Sequence, residues 1–477
     1  MCIDRAERWI AWDPDNALGT PRAHVVRRLG AVAGGVCETL GAARYARPIA
    51  DGATATFLGG QSGRGVRELE ITIVGGSIAG CSAAILLTGA GHDVHVYERS
   101  VGGLLGRGGG IGTPTSVLTA LVEHGVVDGD LAHLTPSRIP FLVRTVAASE
   151  RGRTVWGQRV EMAVFHWTSL WRSLRSRIAD DRYHGGAHVV DAVEGPSGRV
   201  EVRFDDGSCI DTDLVVWADG YQSLGRRLLF PEVELDYRGY MLWRGLLPER
   251  QLESVGVLES AMPRLFHPNV PGNTVVYLVP GTDGSTVPGE RLINWGAYIA
   301  LPSERLTSFM IGRAGKPLIG SIPPGEMRLD QEDELKALMA AELPDFYADV
   351  VARAVDTSVQ LIHTARIPAY HRRHMLLVGD AGSIAPPFTG SGVFKGYNNV
   401  HALVESLRRH DDLEVALDQW DASQVQLANG LLALGEQMED AIIWNPLDLA
   451  TADAISTDAW WSAAVTHPKY LEPKSRN

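Results

Sequence analysis

The sequence predicts an α/β fold that is interrupted by an inserted, mostly antiparallel β-sheet and followed by C-terminal helices. A strand–turn–helix–strand pattern occupies residues 69–97, which is the length of one βαβ unit. Residues 231–365 are rich in Tyr, Trp, Val and Leu in short runs that Pro and Gly interrupt, as in antiparallel sheets with long loops. Helical periodicity then returns at 392–409 and 414–438.

These patterns divide the chain into four parts. Residues 1–68 are rich in Ala, Gly and Arg and lack periodicity, so we interpret them as a flexible N-terminal extension. Residues 69–230 and 366–410 are expected to form one α/β domain, which residues 231–365 interrupt as a sheet domain. Residues 411–477 are expected to form a C-terminal helical segment.

Composition limits the classes of partner. The formal net charge of −13 excludes the positive footprint of a nucleic-acid-binding protein, and the absence of long like-charge runs argues against a polybasic membrane contact. The uncharged stretch 71–92 contains five glycines and divides into strand, turn and helix, so we do not expect a membrane span. The four cysteines have no C-x-x-C spacing, which favours a reducing, cytoplasmic setting.

The turn after the first strand reads IVGGSIAG over residues 73–80. Gly75 and Gly80 hold the outer places of a G-x-G-x-x-G turn, while Ser77 replaces the middle glycine. Serine is small enough to admit a phosphate at the N-terminus of the following helix, and its hydroxyl can donate to it. Glu98 ends the next strand, where an acid binds ribose hydroxyls. The stretch predicts nucleotide binding, with a structural glycine turn as the alternative.

Two later stretches each place an aspartate directly after an apolar strand. LVVWADGYQSLGR at 214–226 contains Asp219 and Gly220, and LLVGDAGSIAPPFTGSGVFKGYNNV at 376–400 contains Asp380 and a glycine-rich approach to a long helix. Glycines let backbone N–H groups and a helix N-terminus approach a ligand closely. Each stretch alone is compatible with an ordinary capped turn. Together with the first turn they predict one long ligand that three distant segments contact.

This ordered triple resembles that of the single-component, FAD-dependent aromatic hydroxylases, the flavoprotein monooxygenases of the p-hydroxybenzoate hydroxylase type. Within the family, the chain looks most similar to the 2,6-dihydroxypyridine 3-hydroxylase branch. The similarity to that branch rests on GGSIAG at 75–80, DYRGYMLWRGLL at 236–247 and PGTDGSTVPGERLINW at 280–295. The resemblance covers residues 69–440 and implies a Rossmann-like FAD-binding domain that holds the inserted sheet as its substrate domain.

The resemblance also implies which residues contact FAD, all of them on or beside these stretches. They are Gly75, Gly76, Ser77 and Gly80 at the pyrophosphate, Glu98 with its neighbour Arg99 at the adenosine ribose, Arg107 beside the flavin and pyrophosphate, Asp219 and Gly220 for both FAD and NAD(P)H, Asp380 at the ribitol chain, and Pro387, Gly390, Gly392 and Val393 at the isoalloxazine ring. Trp167 or Thr168 stands where many relatives carry an arginine, and Gly382 and Ser383 replace a common alanine and histidine.

The implied reaction is hydroxylation of an electron-rich aromatic or N-heteroaromatic small molecule. NADPH or NADH would reduce FAD, and O2 would react through a flavin C4a-hydroperoxide, so neither a metal nor a side-chain nucleophile is required. The sequence contains no H-E-x-x-H, no G-x-S-x-G elbow and no Cys/His ligand cluster. Alternatives are a flavin enzyme of another outcome (Baeyer–Villiger, N-oxidation, epoxidation or reduction) and a non-catalytic flavin- or ligand-binding protein.

No catalytic residue is assigned, but the inserted sheet supplies candidates for the substrate pocket. They are Tyr240, Trp243, Arg244, Trp295, Tyr298 and Phe388, for which core packing of the aromatic residues is the alternative. Arg244 is a candidate partner for a phenolate or carboxylate, and His166 and His363 are candidate proton relays. The oligomeric state stays open, with a homodimer as one alternative.

Overall fold

The computed structural model describes residues 67–104 and 108–466. All but the last two residues of the predicted extension, 1–68, lie outside the described residues, as does Arg107. Within the described ranges, no helix is both long and apolar enough to cross a membrane.

The strands of the described residues belong to four sheets. In chain order they are β1 (Glu70–Val74), β2 (Asp93–Glu98), β3 (Gly110–Pro114), β4 (Arg138–Thr145), β5 (Ala148–Arg159), β6 (Met162–His166), β7 (Tyr183–Gly185), β8 (Val189–Glu194), β9 (Val200–Phe204), β10 (Cys209–Thr212), β11 (Leu214–Trp217), β12 (Asp236–Pro248), β13 (Arg264–Phe266), β14 (Gly272–Val279), β15 (Leu292–Ala300), β16 (Ser321–Ile322), β17 (Ser358–Thr364), β18 (His371–Arg372) and β19 (Met375–Leu377).

The helices include those predicted from periodicity. In chain order they are α1 (Ile78–Gly89), α2 (Thr115–Glu123), α3 (Trp167–Arg175), α4 (Leu224–Leu229), α5 (Ser303–Phe309), α6 (Leu329–Glu342), α7 (Asp345–Arg353), α8 (Phe394–Arg409), α9 (Leu413–Glu439) and α10 (Ala454–Thr466). Short 3-10 turns at Gly379–Ala381 and Pro387–Thr389 precede α8, and a π-helical turn at Asp440–Trp444 extends α9.

Helix boundaries follow local chemistry that is visible in the sequence. Pro114 directly precedes α2, and Gly125 follows its end with a φ of 66°, as expected for a proline start and a glycine stop. Asp412 precedes α9, and its carboxylate accepts a hydrogen bond from the Val415 N–H at 3.0 Å. The helices predicted at 392–409 and 414–438 are confirmed as α8 and α9.

A six-stranded sheet brings the three sequence stretches together. Its order is β18-β19-β11-β1-β2-β7, with parallel neighbours except at the edge pair β18–β19. Val74, the last residue of β1, pairs with Trp217 at the end of β11, which pairs with Leu377 at the end of β19. Because parallel strands end at the same edge, the three turns leave this sheet side by side. This is the arrangement that one shared ligand requires.

An eight-stranded sheet forms the second layer, in the order β16-β17-β12-β15-β14-β13-β4-β5. It is mostly antiparallel, as predicted, and β13–β4 is its one parallel pair among the described strands. The segment 138–159, which the predicted division places in the first domain, supplies β4 and β5 of this sheet. Two smaller antiparallel sheets, β8–β10 and β3 with β6, complete the described architecture.

Each face of the eight-stranded sheet packs against a different part of the chain. Trp243 and Trp295 lie in an apolar core with Met339 of α6 and Tyr347 of α7. The opposite face packs against the turn at Pro387–Thr389 and the C-terminal elements from Met438 onward, in a core that includes Tyr240, Phe388, Ile442 and Trp461. The sheet thus separates a helical layer from the side on which the third stretch lies.

Candidate functional site

The three turns contact one another through positions where a side chain would not fit. Gly75 has a φ of 103°, and a Cβ there would lie 2.5 Å from the Ala218 carbonyl oxygen. A Cβ at Gly379 or Gly396 would lie 2.9 or 2.7 Å from the Cβ of Ala79 in α1. Glycine is therefore required at these positions for the three stretches to meet, and the stretches form one site.

The first turn has the features of a phosphate site. Gly80 packs so closely that a Cβ would lie 1.8 Å from the Gly75 carbonyl oxygen, as expected for the third glycine of such turns. Ser77 directly precedes α1, and its side chain caps none of the helix N–H groups. The unpaired N–H groups of a helix N-terminus favour a bound phosphate, and the Ser77 hydroxyl lies at the same point.

Two aromatic residues that the sequence did not reveal fix this turn. The Gly76 carbonyl accepts hydrogen bonds from Trp171 Nε1 at 2.9 Å and from the Tyr183 hydroxyl at 3.1 Å. A Cβ at Gly76 would lie 2.1 Å from that hydroxyl, so packing against Tyr183 already requires glycine here. No sequence motif marks Trp171 or Tyr183, because their role depends on a contact between distant segments.

Glu98 supports the same turn from the end of β2. Its carboxylate oxygens accept hydrogen bonds from the Gly76 N–H at 2.8 Å and the Ser100 N–H at 2.9 Å. Each carboxylate oxygen can accept further hydrogen bonds, so these contacts leave capacity for ribose hydroxyls. Arg99 is exposed beside it. The ribose contact of Glu98 and the cofactor contact of Arg99 stay predictions.

Asp219 carries a buried acceptor without a partner. Its Oδ2 accepts hydrogen bonds from the N–H groups of Leu224 at 2.6 Å and Gly225 at 3.2 Å, at the start of α4. Its Oδ1 is buried and has no hydrogen-bond partner among the described residues, and burial raises the pKa of this carboxyl. A Cβ on Gly220 would meet no described atom within 4 Å. A ligand hydroxyl at this point would satisfy Oδ1.

Arg226 joins the second stretch to the third. This buried guanidinium donates to the Ala381 carbonyl at 3.1 Å and to the Asp380 carbonyl at 3.4 Å, and it also contacts the Tyr221 carbonyl. The Ser223 hydroxyl accepts from the Arg226 N–H at 2.9 Å and caps α4. The spacing from Asp219 to Arg226 thus serves to hold two turns of the site in fixed relation.

Asp380 forms an ion pair with Lys395 of α8, a residue that sequence reasoning missed. The Asp380 side chain is half exposed, whereas Lys395 is buried and also donates from Nζ to the Ser383 carbonyl at 2.7 Å. The lysine therefore fixes the orientation of the carboxylate. Hydroxyl groups of a ribitol chain would have to bind Asp380 beside this cation.

The turn before α8 contains glycines at positions where packing would allow a larger residue. Gly390 has a φ of 65°, and a Cβ on Gly390 or Gly392 would meet no described atom within 4 Å. Pro387 and Val393 flank this turn directly before α8. The backbone at these two glycines is therefore open to a planar cofactor. The adjacent N-terminus of the 16-residue helix α8 would favour a cofactor whose reduced form carries negative charge.

The structure corrects the prediction for two of the pocket candidates. Trp243 and Trp295 lie on the helical side of the eight-stranded sheet, with ring centroids 4.8 Å apart. Successive side chains of a strand point to opposite faces, so Trp243 and its neighbour Arg244 are on different faces. These two tryptophans are core residues, and the prediction that they line the substrate pocket is wrong.

The remaining candidates share the opposite face. The Phe388 ring centroid lies 4.8 Å from that of Tyr298 and 6.1 Å from that of Tyr240. The Tyr240 hydroxyl donates to Glu439 Oε2 at 3.0 Å. Arg244 on the same face makes a weak contact from Nε to the Ser358 hydroxyl at 3.4 Å. The third stretch thus reaches the sheet through Phe388.

The two histidines proposed as proton relays have structural contacts. His166 caps α3, since its Nδ1 accepts from the Thr168 N–H at 3.2 Å. The His363 ring packs against Tyr237 with centroids 5.5 Å apart. Burial lowers the pKa of both residues, so both are neutral near pH 7.

Comparison with known proteins agrees with this geometry. A family model described as FAD binding domain-like matches residues 237–364. The 2,6-dihydroxypyridine 3-monooxygenase of Paenarthrobacter nicotinovorans is 26% identical over 375 residues, which cover 76% of this chain and 89% of the relative. The structure of 2,6-dihydroxypyridine-3-hydroxylase from Arthrobacter nicotinovorans matches with a TM-score of 0.70 at 25% identity, over 80% of this chain and 96% of that chain. These matches support the resemblance of the chain to the FAD-dependent aromatic hydroxylases.

Further matches extend across this family. The 3-amino-4-hydroxybenzoate 2-monooxygenase of Streptomyces cremeus is 29% identical over 244 residues, 50% of this chain and 58% of the relative. Klebsiella pneumoniae HpxO, complexed with FAD and uric acid, has a TM-score of 0.63 at 20% identity, over 83% of this chain and 93% of that chain, and supports the fold alone. The resemblance to this family and the α/β fold expected from the sequence are confirmed, and the chain is a FAD-dependent monooxygenase.

Proposed function

We propose that this chain uses NAD(P)H and O2 to hydroxylate an electron-rich aromatic or N-heteroaromatic small molecule. The observation that carries the proposal is the meeting of three turns at one sheet edge, from which the third turn extends to the eight-stranded sheet through Phe388. The relatives 2,6-dihydroxypyridine 3-monooxygenase and 3-amino-4-hydroxybenzoate 2-monooxygenase are both named for rings that carry hydroxyl groups. We take 2,6-dihydroxypyridine as the model substrate.

The residues of the site would hold FAD across the three turns. Its pyrophosphate would lie at Gly75, Gly76, Ser77 and Gly80, its ribose at Glu98, and its ribitol chain at Asp380. Asp219 would bind FAD and NAD(P)H through Oδ1. Bound FAD supplies hydride acceptance and oxygen activation, and the N-terminus of α8 would stabilise negative charge near the ring.

The chain's own contribution to the reaction is placement and exclusion of water. The ring would lie between the turn that carries Phe388 and the sheet face with Tyr240, Tyr298 and Arg244. Buried aromatic side chains would keep water away from the reacting carbon. Because the ring is bound in a fixed position, the entropy of bringing the reactants together is lost on binding and not in the reaction step. The cofactor side would consist of residues 69–230 and 366–410, without the strands at 138–159. The substrate side would consist of the eight-stranded sheet.

The test is substrate-dependent oxidation of NADPH or NADH by the purified, FAD-loaded protein. We expect 2,6-dihydroxypyridine to accelerate NAD(P)H oxidation and to gain one oxygen atom on a ring carbon, derived from 18O2. A protein that stays colourless and takes up no added FAD contradicts the proposal. So does NAD(P)H oxidation that leaves every phenol and hydroxypyridine tested unmodified.

The position of the pyrophosphate has a separate test at Ser77. Ser77→Gly should retain FAD, because it restores the common turn sequence, whereas Ser77→Phe should expel it by filling the space before α1. Flavin content after gel filtration measures the outcome. Full FAD retention and turnover by Ser77→Phe would show that the phosphate lies elsewhere.

A further inference from the structure

Arg264 is a buried cation that forms no ion pair with the described residues. It lies on β13, between Phe141 of β4 and Val275 of β14, and its relative exposure is 8%. Its Nε and Nη1 atoms find no hydrogen-bond partner within the described part of the chain. Its guanidinium carbon lies 5.8 Å from the ring centroids of Phe141 and Phe388 and 5.6 Å from that of Trp461. Arg264 therefore lies on the face that the third turn covers.

The charge of Arg264 persists in this position. Burial lowers its pKa to about 10, so the guanidinium remains protonated at neutral pH. An unpaired buried charge is strongly unfavourable, and contacts with aromatic faces offset only part of this. A structural role would be served better by an apolar side chain, whereas an arriving anion would relieve the penalty.

Asn273 is a second buried polar residue on the same face, and its side chain has no hydrogen-bond partner among the described residues. It lies on β14 two positions before Val275, and it pairs across the sheet with Phe266 and Tyr298. Its relative exposure is 0%, and neither Oδ1 nor Nδ2 has a hydrogen-bond partner in the described ranges. Buried amides in folded proteins are normally paired. The unpaired donor and acceptor thus point to a ligand that supplies one of each.

The sheet register places a second arginine in line with Arg264. Arg264 pairs with Val275, Val275 with Gly296, and Gly296 with Arg244. Of the two residues between the arginines in this register, only Val275 carries a side chain. Burial raises the pKa of Tyr298, while the charges of Arg264 and Arg244 both act to lower it. Tyr298 lies two residues after Gly296 on β15 and therefore on the same face as both arginines.

This set of groups is complementary to one class of ring. A hydroxypyridine in its cyclic amide form presents an N–H donor next to a carbonyl acceptor, which matches the donor and acceptor of an asparagine amide. An ionised ring oxygen matches a guanidinium in a charge-assisted hydrogen bond. A carbocyclic phenol offers the oxygen but no ring N–H.

We propose that Arg264 and Asn273 recognise the substrate as an acidic N-heteroaromatic ring, Arg264 binding its ionised oxygen and Asn273 its ring N–H and adjacent carbonyl. This proposal rests on the hydroxylation proposed above and narrows its substrate class. It assigns the ring to the sheet face between Arg264 and Tyr298, under Phe388. Both residues act as specificity determinants, because neither needs to exchange a proton during the reaction.

The test compares two dihydroxylated rings, of which only the pyridine carries a ring nitrogen and is ionised near neutral pH. The FAD-loaded protein is titrated without NAD(P)H with 2,6-dihydroxypyridine and with resorcinol, and binding is measured by calorimetry and by the flavin absorbance change. The variants are Arg264→Gln, Arg264→Lys and Asn273→Leu, with Arg305→Gln as the control for removal of an exposed arginine in an ion pair. Circular dichroism and flavin content verify folding of each variant.

We expect the wild-type protein to bind 2,6-dihydroxypyridine more tightly than resorcinol. Arg264→Gln should weaken 2,6-dihydroxypyridine binding about 10- to 100-fold, as for loss of a hydrogen bond to a charged group. Arg264→Lys should restore part of it, since the charge remains but the planar fork does not. Asn273→Leu should reduce the preference over resorcinol by about tenfold, and Arg305→Gln should change neither affinity.

The opposite results overturn the proposal. Unchanged 2,6-dihydroxypyridine affinity in folded Arg264→Gln and Asn273→Leu proteins, equal wild-type affinity for the two rings, or no binding of either would each refute it. If the wild type still hydroxylates 2,6-dihydroxypyridine while the variants bind it normally, this assignment fails and the proposed function stands. If binding depends on Arg264 but no ring is hydroxylated, the proposed function fails and the recognition site stands.

Discussion

The two faces of the eight-stranded sheet are built from alternate residues of the same strands, yet they differ in how their polar groups are treated. On the helical side, Trp243 and Trp295 pack edge to face, and the side-chain atoms left unpaired there among the described residues belong to neutral groups such as the two indoles. On the other side, the charged Arg264 has no hydrogen-bond partner for Nε or Nη1 among the described residues, and both amide atoms of Asn273 are unpaired there. The helical face is therefore an ordinary apolar core. The opposite face resembles a binding surface that the third turn and the C-terminal elements cover.

This difference teaches that burial alone does not distinguish structural from functional residues. Trp243 and Asn273 are equally inaccessible, but Trp243 gains stability from apolar contact whereas Asn273 loses the hydrogen bonds it had with water. A buried polar group that lowers stability is a candidate for ligand binding, because a ligand can supply its missing contacts. The comparison predicts opposite responses when the two faces are mutated.

The largest stability effect is expected on the helical face. Trp243→Ala should lower the free energy of unfolding by about 3–5 kcal/mol, because a large cavity remains in a well-packed core. Urea denaturation followed by circular dichroism measures the change. Trp243→Phe keeps most of the volume and should lose much less. A loss below about 1 kcal/mol for the alanine variant would mean that this face is not the core described above.

The opposite face should respond in the other direction. Arg264→Met replaces an unpaired buried cation by an apolar side chain of similar length, so the free energy of unfolding should stay equal or rise by up to about 4 kcal/mol. The same urea titration tests it, with Arg305→Gln as the matched loss of an exposed positive charge. A clear drop in stability would show that Arg264 makes structural contacts.

A smaller effect is expected at Tyr240, which shares the ligand face but has a partner. Tyr240→Phe removes the hydrogen bond to the buried Glu439, which also pairs with Arg238. The variant should lose about 1–2 kcal/mol, because one carboxylate oxygen loses a neutral donor while its ion pair remains. Chemical denaturation measures this. An unchanged stability would indicate that the Tyr240 hydroxyl is free to contact ligand.

The smallest effect is a pH dependence at Asp219. Burial raises the pKa of this carboxyl in the folded state, so the folded protein binds a proton more readily than the unfolded chain. The contribution of Asp219 to the free energy of unfolding therefore falls as the pH rises from the pKa of aspartate in the unfolded chain through the higher pKa in the folded protein. Asp219→Asn retains an acceptor for the Leu224 N–H and cannot ionise. The variant should be the more stable at neutral pH, with the difference shrinking on acidification.

A pH-independent difference between Asp219→Asn and the wild type would contradict this account. Free energies of unfolding measured between pH 4 and 8 distinguish the outcomes, and that window starts at about the unperturbed aspartate pKa. Asp213→Asn is a suitable control, because Asp213 pairs with Arg199 at the surface of the same sheet.

The parts of the fold that depend on local patterns could be predicted from the sequence. The unit from β1 to β2 follows from a buried apolar strand, a glycine turn and helical spacing, all within thirty residues. The meeting of the three turns could be inferred because each follows a parallel strand. The membership of 138–159 in the large sheet could not, since it depends on pairing of Phe141 with Arg264, more than a hundred residues away.

The errors at the site have the same origin. The faces of Trp243 and Arg244 could not be assigned, because a strand that is largely buried on both sides lacks a clear polar alternation. Arg264 and Asn273 were missed, because their signal is burial without partners, which only the assembled sheet reveals. Lys395 was missed for a similar reason, since its pairing with Asp380 depends on how α8 packs under the third turn.

The contrast between the two faces is tested most directly by thermal unfolding with and without 2,6-dihydroxypyridine in the FAD-loaded wild type and Arg264→Met. A ligand that binds only the folded state raises the Tm. We predict that the ligand raises the Tm of the wild type, and that Arg264→Met starts at an equal or higher Tm and gains no increase. An equal ligand-induced rise in both proteins, or a destabilised variant that still responds, would contradict the account.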